Sequence, residues 1–101
     1  MRRFYRVRTR GTVQSYVSMT LKLYGFYAIF SETEQGKVDA RVRLLAERGP
    51  NLGFPFSSGV KTSRLAEMRE LRVQAHGDPL RILYAFDTRR VAILLVAIAK
   101  E

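Results

Sequence analysis

Residues 68–86 read MRELRVQAHGDPLRILYAF. Two runs of alternating apolar and polar residues flank His76-Gly-Asp-Pro79, so the stretch is predicted to be two strands and the turn between them. Side chains alternate faces with a period of two. In the first strand Arg69, Leu71 and Val73 share one face, and Glu70, Arg72 and Gln74 the other. In the second, Leu80, Ile82, Tyr84 and Phe86 form a bulky apolar face, opposite Arg81, Leu83 and Ala85. If Leu71 and Val73 enter the core with Ile82 and Tyr84, then Arg72 and Arg81 emerge together on the uncovered face. Tyr84 is assigned to the core.

Working outward, Asp87-Thr-Arg-Arg90 is a second short turn and residues 91–99 are a third apolar strand. Short connections imply an antiparallel meander over roughly 68–74, 80–86 and 91–99. Upstream, SETEQGKVDARVRLLAERGP (31–50) carries Ser31 and Glu34 at capping-box spacing. Val38, Val42 and Leu45 form its apolar stripe, and Gly49-Pro50 stops it. Before it, Thr20 is placed to cap a helix through LKLYGFYAIF, with Leu23, Phe26, Tyr27 and Phe30 at helical spacing and Gly25 as a weak point. Residues 12–19 (TVQSYVSM) alternate like a strand. Residues 51–67 read as a loop, long for an unstructured connection inside a domain and therefore of functional interest. The predicted class is α+β: a small antiparallel-rich sheet with a two-helix hairpin packed on one face, in the order β-α-α-β-β-β.

The chain has 101 residues, which fits one domain, and 47% are hydrophobic, enough for a core. Residues 1–11 hold five arginines and no acid, and read as a basic N-terminal arm ahead of a single domain over 12–101. A frayed lead-in, a nucleic-acid-binding arm and an organellar transit segment are all compatible with that composition. Without cysteine, disulfides and thiolate metal sites are excluded, and a reducing compartment is compatible. One histidine rules out a multi-histidine metal site within one chain. The longest apolar run, residues 91–99, is too short to span a membrane.

Charge is the strongest global signal. Eighteen basic residues face nine acidic ones, for a net +9. Only Lys22, Lys37, Lys61 and Lys100 are lysines; the other fourteen are arginines. Lysine serves solubility, whereas the planar guanidinium matches phosphate and stacks on bases. A polyanionic partner, nucleic acid first, is therefore expected. Arg72 and Arg81 on rigid strands would be pre-organised for a phosphate that gains negative charge during reaction, and Lys100 could reach the same area. The bland alternative is cross-strand pairing, with Glu70 or Glu101 neutralising an arginine. His76 reads as an exposed turn residue.

MRELRV, then LRILYAFD, a short turn and VAILLVAIAKE together resemble the C-terminal half of the RelE/HigB-type toxins of bacterial toxin–antitoxin systems, in particular the HigB, phage-derived Gp49-like branch. The resemblance continues through VRLLAERGPNLGFPF and SETEQGKVDA, and covers about four-fifths of the chain. It implies a small sheet with a helical hairpin, as derived above. It also implies a metal- and cofactor-independent endoribonuclease that cuts mRNA on the ribosome in the cytoplasm, by phosphate stabilisation and attack of the neighbouring 2′-hydroxyl. By position, Arg81, Arg72 and Lys100 match the catalytic basic residues, and Lys61, Arg64 and Arg69 would hold the RNA backbone. Relatives usually continue past the lysine into a tail bearing a catalytic Tyr, His or Lys, whereas this sequence ends at Glu101, so the resemblance supplies no general acid or base here. The partners implied are ribosome-bound mRNA and a cognate antitoxin, acidic or of helix-turn-helix type, with no membrane. Two other readings of the same fold stay open: a non-catalytic module binding RNA or antitoxin, and a ParE-like gyrase poison.

Overall fold

The computed structural model of the chain describes residues 2–4, 13–60, 68–74 and 79–99, with backbone alone at 2–4 and 99. Its elements are β1 (Arg2–Phe4), β2 (Val17–Thr20), α1 (Leu21–Ile29), α2 (Glu32–Arg48), a 3₁₀ turn (Gly49–Asn51), β3 (Ser57–Gly59), β4 (Arg69–Val73), β5 (Leu80–Phe86) and β6 (Ala92–Ala99).

Both helices start where their caps predict. The Thr20 side chain accepts a hydrogen bond from the Leu23 N–H at 3.2 Å. At α2 the box is reciprocal: Glu34 N–H donates to Ser31 Oγ at 3.1 Å and Ser31 N–H to Glu34 Oε1 at 2.9 Å. Such pairs satisfy N–H groups that a helix start otherwise leaves free. The Tyr27 hydroxyl donates to Asp39 Oδ1 at 2.8 Å, which ties the two helices together. Val38, Val42 and Leu45 are buried as the stripe requires. On α1, Leu23 is buried and Tyr27 half-buried, while Phe26 turns outward.

Gly49 ends α2 with φ of 56°, a backbone region that favours glycine. A Cβ there would stand 2.8 Å from Ser15 Oγ. The chain is pressed close at this point because the N–H groups of Gln14 and Ser15 both donate to the Ala46 carbonyl, at 2.8 and 3.0 Å. That contact explains why β2 begins at Val17 and not at residue 12. The preceding backbone donors are spent on the end of α2 and not on a strand.

The sheet order is β1-β2-β6-β5-β4-β3. The meander β4-β5-β6 is antiparallel, and β2 lies parallel to β6 after the helical crossover. Two short strands lie outside the predicted order. β1 pairs antiparallel with β2 inside the segment read as an arm, and β3 pairs with β4 inside the segment read as a loop. Each has only three residues, too few for periodicity to register. The core joins Val17, Met19 and Leu23 to Val38, Val42, Leu45, Leu71, Val73, Ile82, Tyr84 and Leu94. The two helices thus cover one face of the sheet, and the strand residues between these positions face away from the helices.

The edge strand β3 is tied to the middle of the sheet by polar groups. Ser57 and Tyr84 are both fully buried and their hydroxyls are hydrogen-bonded to each other. Arg69 Nε donates to the same Ser57 Oγ at 3.0 Å. Replacing Ser57 by alanine strands the Tyr84 hydroxyl in the core. It is expected to cost ~1–3 kcal/mol, read as a lower denaturant midpoint. Adding Tyr84→Phe to that variant is expected to recover part of the loss, since no buried hydroxyl then lacks a partner.

Candidate functional site

Arg72 and Arg81 are direct cross-strand neighbours in the β4–β5 ladder. Their flanking residues Leu71, Val73 and Ile82 are buried under the helices, so period-two alternation sends both arginines to the uncovered face. Like charges placed directly opposite repel. A carboxylate relieves this here: Glu70, on the same face, accepts from Arg81 Nη1 at 3.4 Å. Ser58 Oγ on β3 donates to the other Glu70 oxygen at 3.2 Å. The Arg81 and Glu70 side chains are 24% and 13% exposed, and Arg81 Nε is buried without a hydrogen-bond partner. The cross-strand ion pair anticipated as the bland alternative is therefore present. It occupies one nitrogen of the Arg81 guanidinium and sits on the open face, not beneath the helices.

These groups line an open groove of about 590 Å³ with Phe54, Gly59, Val60 and Arg72. Arg72 is half-buried, and its guanidinium lies over the exposed Phe54 ring, 5.5 Å from the centroid. The Phe54-bearing turn is fixed to β4 by the Arg72 N–H, which donates to the Phe56 carbonyl at 2.8 Å. The Phe54–Pro55 peptide is cis. The groove thus offers two fixed cations, one carboxylate and an aromatic face. Such a set can bind a phosphate diester, supply hydrogen bonds to its non-bridging oxygens and accept a proton beside it.

Arg69 does not join this group. It shares its face with Leu71 and Val73, and its Nε is engaged by Ser57. Lys61, Arg64, Lys100 and His76 lie outside the described residues. Two groove residues escaped the sequence reading. Glu70 was weighed only as a neutralising partner, and its strand position beside Arg72 was the available signal. Phe54 sat in an aperiodic loop, where only the aromatic-proline-aromatic triplet 54–56 stood out. Among the described residues no group of three or more His, Cys, Asp or Glu side chains is arranged to hold a metal ion. Among them, too, no helix is long and apolar enough to cross a membrane.

The family model for phage-derived Gp49-like proteins matches residues 27–101, and the chain belongs to that family. Two curated proteins of Mycobacterium tuberculosis are similar to it. The one named "Putative toxin HigB2" is 46% identical over 61 residues, 59% of this chain and 30% of that protein. The one named "Putative toxin HigB3" is 39% identical over 71 residues, 70% of this chain and 60% of that protein. The chain therefore spans less than two thirds of the length of either relative. The resemblance to the Gp49-like, HigB branch read from the hairpin is borne out. No solved structure matches the chain at a significant level.

Proposed function

We propose that this chain is the toxin of a HigB-like toxin–antitoxin pair and acts in the cytoplasm as a metal-independent endoribonuclease on ribosome-bound mRNA. The observation that carries this reading is the Arg72–Arg81 pairing on the open sheet face, with Glu70 beside it. The family match and the names of the two relatives support it.

In this reading Arg72 and Arg81 donate to the non-bridging oxygens of the scissile phosphate, which gain charge as the 2′-oxygen attacks phosphorus. Glu70 takes the 2′-hydroxyl proton. The P–O5′ bond breaks, the 5′-oxygen takes a proton from water, and a 2′,3′-cyclic phosphate remains. Lys61, Arg64 and Lys100 add positive charge along the RNA path. Arg69 acts indirectly, by holding β3 through Ser57. The cognate antitoxin, acidic or of helix-turn-helix type, covers this basic surface and blocks access to the ribosome.

The reading is tested by expressing the chain in bacteria with and without the adjacent gene, and by mapping message ends on programmed ribosomes. Growth arrest, relief by the neighbour and cuts within codons are the expected results. Intact messages on ribosomes would refute it. RNA affinity should fall with salt at a log–log slope of about −0.7 per phosphate neutralised on a single strand. Arg72→Ala is expected to flatten that slope by about 0.7, measured by fluorescence anisotropy over a salt series.

A second reading draws on the same ion pair. Glu70 already occupies part of Arg81, which suits a module that binds RNA or antitoxin without cutting. The ribosome assay separates the two.

A further inference from the structure

The Phe54-Pro55-Phe56 turn does more than close the groove. Phe54 is 78% exposed, unusual for a large aromatic side chain, and Arg72 lies over its ring. On the other side of the turn, Phe56 is half-buried against the core, and the guanidinium of Arg41 lies 4.6 Å from its centroid. Arg48 stands further out, at 5.9 Å. Arg41 and Arg72 line a second pocket of about 330 Å³ together with Phe54, Pro55, Phe56 and Pro79. It shares Phe54 and Arg72 with the first groove, so these two side chains border both cavities. Arg41 Nε is buried with no hydrogen-bond partner, and among the described residues Arg41 forms no ion pair. Burial also lowers its pKa from the ordinary guanidinium value, as expected of a cation that has lost water without gaining a carboxylate.

We propose that this second pocket is a subsite for one unpaired nucleotide flanking the bound phosphate, with its base stacked on Phe54 and its own phosphate held by Arg41. The inference rests on the RNA reading of the Arg72–Arg81 groove and extends it. A flat apolar ring beside fixed guanidinium groups is the arrangement that single-stranded nucleic acid uses, because every base has a face to stack whatever its sequence. Duplex RNA cannot use it, since its bases are already stacked on one another. The subsite therefore selects single strands and contributes little base preference. An acidic peptide would be drawn by the cations but gains nothing from the exposed ring.

The experiment uses the full chain and three probes: a single-stranded RNA decamer with one 2-aminopurine, the same decamer in a duplex, and polyglutamate as an acidic peptide. Phe54→Ala should keep the wild-type circular dichroism and melting profile, given the exposure of that side chain. It is expected to weaken single-strand binding roughly 5- to 150-fold and to abolish quenching of 2-aminopurine, with duplex binding unchanged. Phe54→Tyr should restore both. Arg41→Gln should weaken single-strand binding and flatten its salt slope by about 0.7. Phe54→Ala with unchanged single-strand affinity overturns the proposal, as does an equal loss for single strand and duplex. So does absence of single-strand binding by the wild type. Variants that lose polyglutamate but keep RNA assign the pocket to an acidic peptide instead. Cleavage on ribosomes is scored separately. Phe54-dependent quenching without cleavage leaves the subsite standing and removes the nuclease. Cleavage and binding indifferent to Phe54→Ala do the reverse.

Discussion

Arg81→Ala is expected to lower cleavage of ribosome-bound mRNA by about 10²–10³-fold and to abolish growth arrest on expression. That is the usual loss when one pre-organised donor to a developing oxyanion is removed. The size follows from where the side chain stands. Arg81 is the second residue of β5, on a strand whose other face is locked into the core through Ile82 and Tyr84. Its guanidinium is half-buried, so its charge is screened less than that of a freely solvated arginine. Removing it also leaves Glu70 without its cation, facing the phosphate with nothing to balance it. Arg81→Lys tests geometry against charge. Lysine keeps the positive charge but cannot hold Glu70 and present a second donor to phosphate in one plane. It is expected to recover RNA binding more than cleavage. Single-turnover cleavage on programmed ribosomes is the measurement, with the circular dichroism spectrum and melting profile as the check on folding. A rate within threefold of wild type for Arg81→Ala would remove this arginine from the mechanism.

The parts of the molecule with strong periodicity were readable before the structure. The β4–β5 hairpin was placed from two facts, alternation and the need to bury Leu71, Val73, Ile82 and Tyr84, and those four residues are buried. The same alternation put Arg72 and Arg81 side by side. The α2 boundaries followed from Ser31, Glu34 and Gly49, whose cap geometry is local and needs no tertiary partner. What was missed depends on partners far away in sequence. β3 is a strand because β4 offers it an edge, and nothing within Ser57–Gly59 says so. β2 starts late because Ala46, at the far end of α2, takes the donors of Gln14 and Ser15. Alternation already places Arg69 on the face of Leu71 and Val73, opposite Arg72; what it does not show is that Ser57, on a strand the sequence does not announce, engages the Arg69 Nε. The pairing of Arg81 with Glu70 was expected only as a competing outcome. It is better understood as part of the site, because Glu70, itself held by Ser58 through its second oxygen, fixes one guanidinium in the groove that Arg72 also lines.

Glu70→Gln should separate binding from chemistry. Glutamine keeps the shape of the side chain, can still accept from Arg81 through its carbonyl oxygen, and can donate its amide N–H to the Ser58 hydroxyl in place of the bond it loses there. It loses the negative charge and the ability to take a proton. Electrostatics alone then predicts tighter RNA binding, because a carboxylate beside the phosphate is repulsive and its removal leaves Arg81 and Arg72 uncompensated. Chemistry predicts the opposite for the rate: loss of a general base costs about 10²–10⁴-fold. The expected result is therefore an anisotropy titration shifted to lower protein concentration, together with near-complete loss of cleavage. If Glu70 serves only to neutralise the arginine pair, the variant binds more tightly and cuts at least as fast. If it serves only the fold, both readouts fall together with the melting temperature. The variant's folding is protected by its surroundings, since Glu70 lies on the open face of β4 and its neighbours Leu71 and Val73 carry the core contacts.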